Sequence, residues 1–238
     1  LLYILYDTIN IPDGVSALVS IKTAVIPMSI YVINTYNNYI SLTNSSNVVS
    51  SLTITEGNYN ASTFTDYLNN NLTDYTVSFD TITNKFTIVN DSNLNFTFNS
   101  TSTVLETMGF LKSTSYTSSF FSLTSSFVCD FSGTNYLKVC SNFMTMNIDS
   151  QTGKMSDILL NIPLDEVSGG VSYYSNKDNY KTIISDKHIP YINLRFYDED
   201  NNLVNFNNKN VFVQLQFDFI VNPPDLPSND NLVRFLEN

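Results

Sequence analysis

Along most of this chain the apolar positions fall at every second residue. In "ALVSIKTAVIP" (17–27), Ala17, Val19, Ile21 and Val25 alternate with Leu18, Ser20 and Lys22, which predicts a strand with one dry face that Pro27 stops. "SIYVINTYNNYISL" (29–42) predicts the next strand, and "TNSSNVVS" (43–50) a polar loop. "SFFSLTSSFVCDF", "NYLKVCSNFMTM", "DILLNIPL" and "NYKTIIS" also read as strands. Two late segments alternate most cleanly. Ile192, Leu194 and Phe196 oppose Tyr191, Asn193, Arg195 and Tyr197; Val211, Val213, Leu215, Phe217 and Phe219 oppose Gln214, Gln216 and Asp218. One buried and one wetter face is the pattern of antiparallel sandwiches. Outside residues 45–118 the pattern yields about eight strands, the number of a two-sheet jelly roll.

The period changes in "SLTITEGNYNASTFTDYLNNNL" (51–72). Leu52 and Ile54 alternate, but Phe64, Tyr67, Leu68 and Leu72 lie at helical steps, with Asn60 or Ser62 as the cap. In "TVSFDTITNKFTIV", Val77 and Phe79 face Phe86 and Ile88 across a turn where Asn84 tolerates positive φ. A short strand "NFTF" (95–98) follows. "TVLETMG" then reads as one helical turn with a Thr103–Glu106 capping box and a stop at Gly109. The predicted fold is mainly β: an eight-stranded antiparallel single jelly-roll sandwich (1–44 and 119–221) with a small α+β insertion domain (45–118). Pro223, Pro224 and Pro227 end the sheet at Val221, leaving 222–238 as a Pro-containing C-terminal tail.

Composition narrows the function more than the fold. Charged residues make up 14%, and roughly one residue in seven is Asn, so polarity is carried by amides and hydroxyls where charge usually carries it. An AT-rich genome is one plain source of that bias. A net charge of -11 with scattered basic residues argues against direct nucleic-acid binding. No stretch has the roughly 18 apolar residues of a membrane span. "LLYILYD" is shorter than a signal-peptide core and lacks a basic flank, and its missing initiator Met suggests a trimmed, processed or partly missing start. A simple hairpin turning at Ser132-Gly133 would put Cys129 and Cys140 at diagonal positions, too far apart to bridge, while strands in different sheets would leave their distance unset; free thiols are expected, which suits a cytosolic origin. The sequons at Asn44, Asn60, Asn71, Asn95 and Asn99 are chance matches in so Asn-rich a chain.

Catalytic chemistry is sparse, and the chain reads as no enzyme. The single histidine, His188, has no nucleophile signature beside it and reads as a structural imidazole. Two cysteines and one histidine cannot fill a structural zinc site. Asp198, Asp200 and Asn202 match the opening of an EF-hand loop, but Leu203 and Lys209 stand where Gly and Glu are required, so a solvated loop is expected. "DSQTGK" (149–154) reads as a turn, since it lacks the rest of a phosphate loop. No catalytic residue, metal or cofactor is expected. The apolar ends, Leu1, Leu2, Tyr3, Ile4, Leu5, Tyr6 and then Leu232, Phe235 and Leu236, are candidate contact arms.

Three stretches together carry a family resemblance. "INIPDGVSALVSIKTAVIPMSIYVIN" (9–34), with Ile26, Pro27, Ser29, Tyr31, Ile33 and Asn34, resembles the opening of minor capsid proteins of virophages and Polinton-like viruses. "LTITEGNYNASTFTDYLNNNL", "TVSFDTITNKFTIV" and "LETMGF" resemble the inserted module of the same proteins. "YINLRFYDEDNNLVNFNNKNVFVQLQFDF" (191–219) is similar to their last two strands, with Asn202 at or beside a position that is commonly Gly. The resemblance implies a penton: a single jelly roll forming homopentamers at icosahedral vertices, in contact with the major capsid protein. It implies a virion protein assembled inside the infected host cell, whose insertion domain is open to a host receptor. An attachment or fibre-head module binding a receptor or glycan is the alternative, favoured by aromatic loops such as "YTSSFF"; a non-vertex cement protein is another.

Overall fold

The computed structural model describes residues 2–145, 147 and 157–221. The chain begins with β1 (Leu2–Asn10) and β2 (Val15–Pro27). Next come β3 (Tyr39–Asn44), β4 (Val49–Thr53), α1 (Ala61–Asn71), β5 (Tyr75–Asp80), β6 (Lys85–Asn90), β7 (Phe96–Phe98), β8 (Tyr116–Thr117) and β9 (Ser122–Thr124). The last third holds β10 (Tyr136–Cys140), β11 (Ile158–Pro163), β12 (Val171–Ser175), β13 (Thr182–Ile184), β14 (His188–Asn193), β15 (Arg195–Tyr197) and β16 (Phe212–Val221). The protein is mainly β and its strand pairs are antiparallel. It divides into two units, one formed by residues 1–28 with 135–238 and the other by residues 29–134.

The discontinuous unit is built on β2. This strand pairs with β16 along one edge, and with β12 and then β13 along the other. Separate pairings join β1 to β14, and β10 to both β11 and β15. Ala17, Val19 and Ile21 are buried as the alternation predicts, but the dry face then shifts to Ala24 and Ile26. The cause is a bulge. Gln214 stands opposite Thr23 and Leu215 opposite Ile21, so Lys22 is an extra residue, and everything beyond it changes sides. Val25, predicted inside, therefore lies on the outer face. "IPYINLRFYD" is also not one strand. Ile192, Leu194 and Phe196 are buried as predicted, but the chain changes partners at Leu194, with Ile192 opposite Tyr3 and Phe196 opposite Val139. Nine strands are described in this unit, including β1 and β12, which the pattern does not single out.

The continuous unit has its own core. Phe64 and Leu68 of α1 are fully buried with Ile40, Leu42, Ile54, Phe86, Ile88, Phe96, Phe98, Val104, Leu105 and Met108. Burying a Phe or Leu contributes about 1.5–3 kcal/mol, so the apolar stripe of α1 outweighs its modest helix propensity. Asn60 caps the helix: its side chain accepts the Thr63 amide at 2.9 Å, and Thr63 Oγ1 accepts the Asn60 amide at 3.0 Å. The hairpin of β5 and β6 keeps the predicted register, Val77 opposite Ile88 and Phe79 opposite Phe86, with Asn84 at φ 54°.

Three expectations fail in this unit. Its boundary is 29–134 in place of 45–118, because β3 pairs with β4 and β7 and β9 pairs with β6. Residues 29–38 form no regular strand, since asparagine side chains fold them into turns: Asn37 Oδ1 accepts the Asn34 amide at 2.7 Å, and Asn34 Oδ1 accepts the Tyr36 amide at 2.9 Å. "TVLETMG" closes one helical-type bond, from the Met108 amide to the Val104 carbonyl at 3.1 Å, but without the predicted capping box. Thr103 Oγ1 accepts the Tyr39 amide there, and Glu106 pairs with exposed Lys112. Gly109 is required as predicted, for a further reason. At φ +83°, a Cβ on it would stand 2.3 Å from the Phe127 carbonyl oxygen.

Candidate interaction surfaces

Of the two arrangements open for the cysteines, the simple hairpin does not form. Strand structure lapses from residue 125 to 135, with Gly133 at φ +72°, and the cysteines fall in different units. Both are free. Cys140 is buried on β10, and burial pushes its thiol up to about 12, with Asp157 adding to the shift. A thiol so held stays protonated at neutral pH and is a poor nucleophile. Beside it, Arg195 forms an ion pair with Asp157 and donates to the Ser141 carbonyl at 3.0 Å. His188 Nδ1 lies 2.7 Å from Asn10 Oδ1, across the pairing of β1 and β14.

The acidic loop after β15 is folded back onto β10. Asp198 accepts the Asn202 amide at 2.8 Å and the Asn202 side chain at 3.0 Å, closing a turn in which Asn201 takes φ 65°. The Glu199 carboxylate accepts the Asn135 and Tyr136 amides. Lys138, buried at 6% exposure, donates to the Glu199 carbonyl at 2.9 Å and to Asn201 Oδ1 at 2.8 Å. The loop is thus tied down by a lysine that sequence reasoning missed, where a solvated loop was expected. Only the even-odd position of Lys138 among the apolar residues of "YLKVC" hinted at its burial. Among the described residues, no group of three or more His, Cys, Asp or Glu is placed to hold a metal ion. No helix among them is long and apolar enough to cross a membrane.

The expected arms are placed in part. Leu2, Tyr3 and Ile4 pair with Asn193, Ile192 and Tyr191, and Leu5 and Tyr6 continue the same strand β1. Leu1, Leu232, Phe235 and Leu236 lie outside the described residues, as does "DSQTGK". Two other surfaces stand out.

The first is the outer face of the β2 sheet. The Lys22 bulge brings Tyr173, Val25 and Phe212 into one row across three strands, with Val171 opposite Pro27 next to it. Tyr173 is 74% and Phe212 57% exposed. Among the described residues β16 pairs with β2 alone, and it ends in exposed Phe219, Ile220 and Val221. A long apolar edge of this kind is a template for further pairing.

The second surface is the turn between β8 and β9, in the other unit. Ser119 and Ser122 exchange both backbone hydrogen bonds, at 3.0 and 3.1 Å, leaving Phe120 and Phe121 as a two-residue loop. Their φ angles are 48° and 52°. Hairpin turns of this hand favour Asn-Gly. In a residue with a Cβ the left-handed region costs roughly 1–2 kcal/mol. Seven of the eleven described non-glycine residues at positive φ are Asn, so two phenylalanines there are the exception.

No protein-family model matches the chain, and no curated protein matches it. Among solved structures the chain is similar to the crystal structure of a selenomethionine-labelled mavirus penton protein. The match covers 92% of this chain and 91% of that one, at 15% identity and a TM-score of 0.45.

Proposed function

We propose that this chain is a structural virion protein of penton type. Its discontinuous unit is a single jelly roll that meets four copies of itself around an icosahedral vertex and contacts the major capsid protein, with assembly inside the infected host cell. The observation that carries this reading is the apolar row Tyr173–Val25–Phe212, with Tyr173 and Phe212 exposed, beside an edge of β16 that pairs with no other strand among the described residues, on a chain whose three motif stretches resemble virophage minor capsid proteins. Rows of exposed aromatic and aliphatic side chains on a low-charge surface suit a repeated apolar contact, because interface cores are depleted of charge. Of the two chain ends, Leu2–Ile4 already pair with β14 of their own chain, so in this reading the arm laid on a neighbouring subunit or the major capsid protein is the C-terminal end, Leu232–Leu236. The test is the double substitution Tyr173→Asp with Phe212→Asp. Both side chains are largely exposed, so the variant folds with a melting temperature close to that of the parent. In solution it remains a single chain under conditions where the parent associates. Unchanged association would remove this face from the contact.

A second reading, in which residues 29–134 bind a host receptor or glycan, is favoured by one specific observation, the strained and exposed Phe120–Phe121 turn. The two readings are compatible, since one unit can build the shell while the other binds.

A further inference from the structure

Phe120 does little for the fold that carries it. It is 82% exposed, so it buries almost nothing in return for its left-handed backbone, whereas Phe121 beside it is 37% exposed. The turn is held in place from outside. Asn95 Oδ1 accepts the Phe121 amide at 2.9 Å, and the Asn90 amide donates to the Phe121 carbonyl at 2.9 Å. The Asn95 carbonyl also accepts the Ser45 amide at 2.7 Å, and Asn90 Oδ1 accepts the Ser92 and Leu94 amides, each at 3.1 Å. Three turns (44–48, 90–95 and 119–122) are therefore hydrogen-bonded into one rigid end of the unit. Strain that persists only because its surroundings over-determine it points to a use outside the fold.

The chemistry of that end selects a partner. The turns tied to the Phe120–Phe121 turn carry the exposed polar residues Ser46, Asn47, Ser92 and Asn93, together with exposed Val48. The three turns contain no Lys or Arg, while Asp91 lies among them and its amide donates to the Asp74 carbonyl. Phosphate, sulfate and sialyl groups would meet the Asp91 carboxylate there, with no cation in the three turns to receive them. A stable protein partner needs about 1,000 Å² with an apolar centre, and here the exposed apolar side chains are Phe120, Val48, Val49 and part of Phe121 among polar turns. A neutral saccharide fits: its C–H face stacks on an aromatic ring, and its hydroxyls bond to amide and hydroxyl side chains. We infer that the Phe120–Phe121 turn is a stacking platform for a neutral saccharide, with Asn93, Ser92 and Asn47 as the polar rim. This site belongs to residues 29–134 and does not depend on the vertex reading.

The test is saturation-transfer NMR on the full chain with neutral di- and trisaccharides built from glucose, galactose, mannose or N-acetylglucosamine, beside sialylated and sulfated counterparts. The method detects millimolar binding, so weak contacts register. At least one neutral sugar gives saturation transfer, while the charged counterparts give less. Phe120→Tyr retains the signal. Phe120→Asn with Phe121→Gly supplies the residues such turns favour, so it raises the thermal midpoint while cutting saturation transfer at least fivefold. No signal from any neutral sugar, stronger signals from the charged ones, or an undiminished signal in the Asn-Gly variant would each overturn the site. A lower midpoint in that variant would do the same, because the two rings would then be serving the fold.

Discussion

Cys140 shows how one buried group sets a pH limit. In the unfolded chain its thiol ionises near the ordinary value of 9.0, whereas in the fold burial holds it protonated up to about 12. The folded state therefore keeps a proton that the unfolded state gives up. The stability this confers is complete below pH 9 and is lost as pH rises from about 9 through about 12. Chemical denaturation of the parent and of Cys140→Ala across that range checks the sign. The parent loses more stability than the variant between pH 9 and 12, and a constant difference would contradict the assignment. The asparagines make the complementary point. Their abundance reads in sequence as compositional bias, yet Asn60 caps α1, and Asn69 Oδ1 accepts the Val77 amide at 2.7 Å while its Nδ2 donates to the Val77 carbonyl at 2.8 Å. Asn34 and Asn37 turn the chain, and among the described residues seven asparagines occupy left-handed backbone. A side chain that bonds its own backbone leaves no periodic mark. Asn60 and Asn84 could be read because they stand next to periodic elements; Asn34, Asn37 and Asn95 could not.

Elements were legible where the spacing of apolar residues was unbroken. The stripe of α1 and the register of β5 with β6 follow from Phe64, Leu68, Val77, Phe79, Phe86 and Ile88 alone. Legibility ended where one residue changed the phase. The Lys22 bulge moves Val25 to the outer face, and the candidate contact row with Tyr173 and Phe212 exists only because of it. Nothing in "SIKTAVIP" announces that insertion. The strand assigned to 29–42 misled in the opposite way, because "YVIN" alternates well but is fixed by side-chain turns. The core of residues 29–134 is drawn entirely from within that segment, from Ile33 to Phe131. Expressed alone, 29–134 therefore unfolds in one cooperative transition by near-ultraviolet circular dichroism and by tyrosine fluorescence. A non-cooperative melt would show that this core needs the rest of the chain.

At the scale of the whole molecule, net charge and apolar exposure pull against each other. A chain of charge -11 repels its copies, while the row at Tyr173 and Phe212 and the β16 edge invite contact. Repulsion between exposed charges is screened over about 8–10 Å at physiological salt, and an apolar contact is not weakened by that screening. Association through this face is therefore expected to survive, or strengthen, as salt is raised. The central claim, a vertex protein that closes a ring of five, is tested most directly by native mass spectrometry, with light scattering across a range of salt and protein concentrations. The account predicts a dominant species at five times the 26.9 kDa chain mass, persisting at moderate salt. A single chain at every concentration, or a trimer, would contradict it.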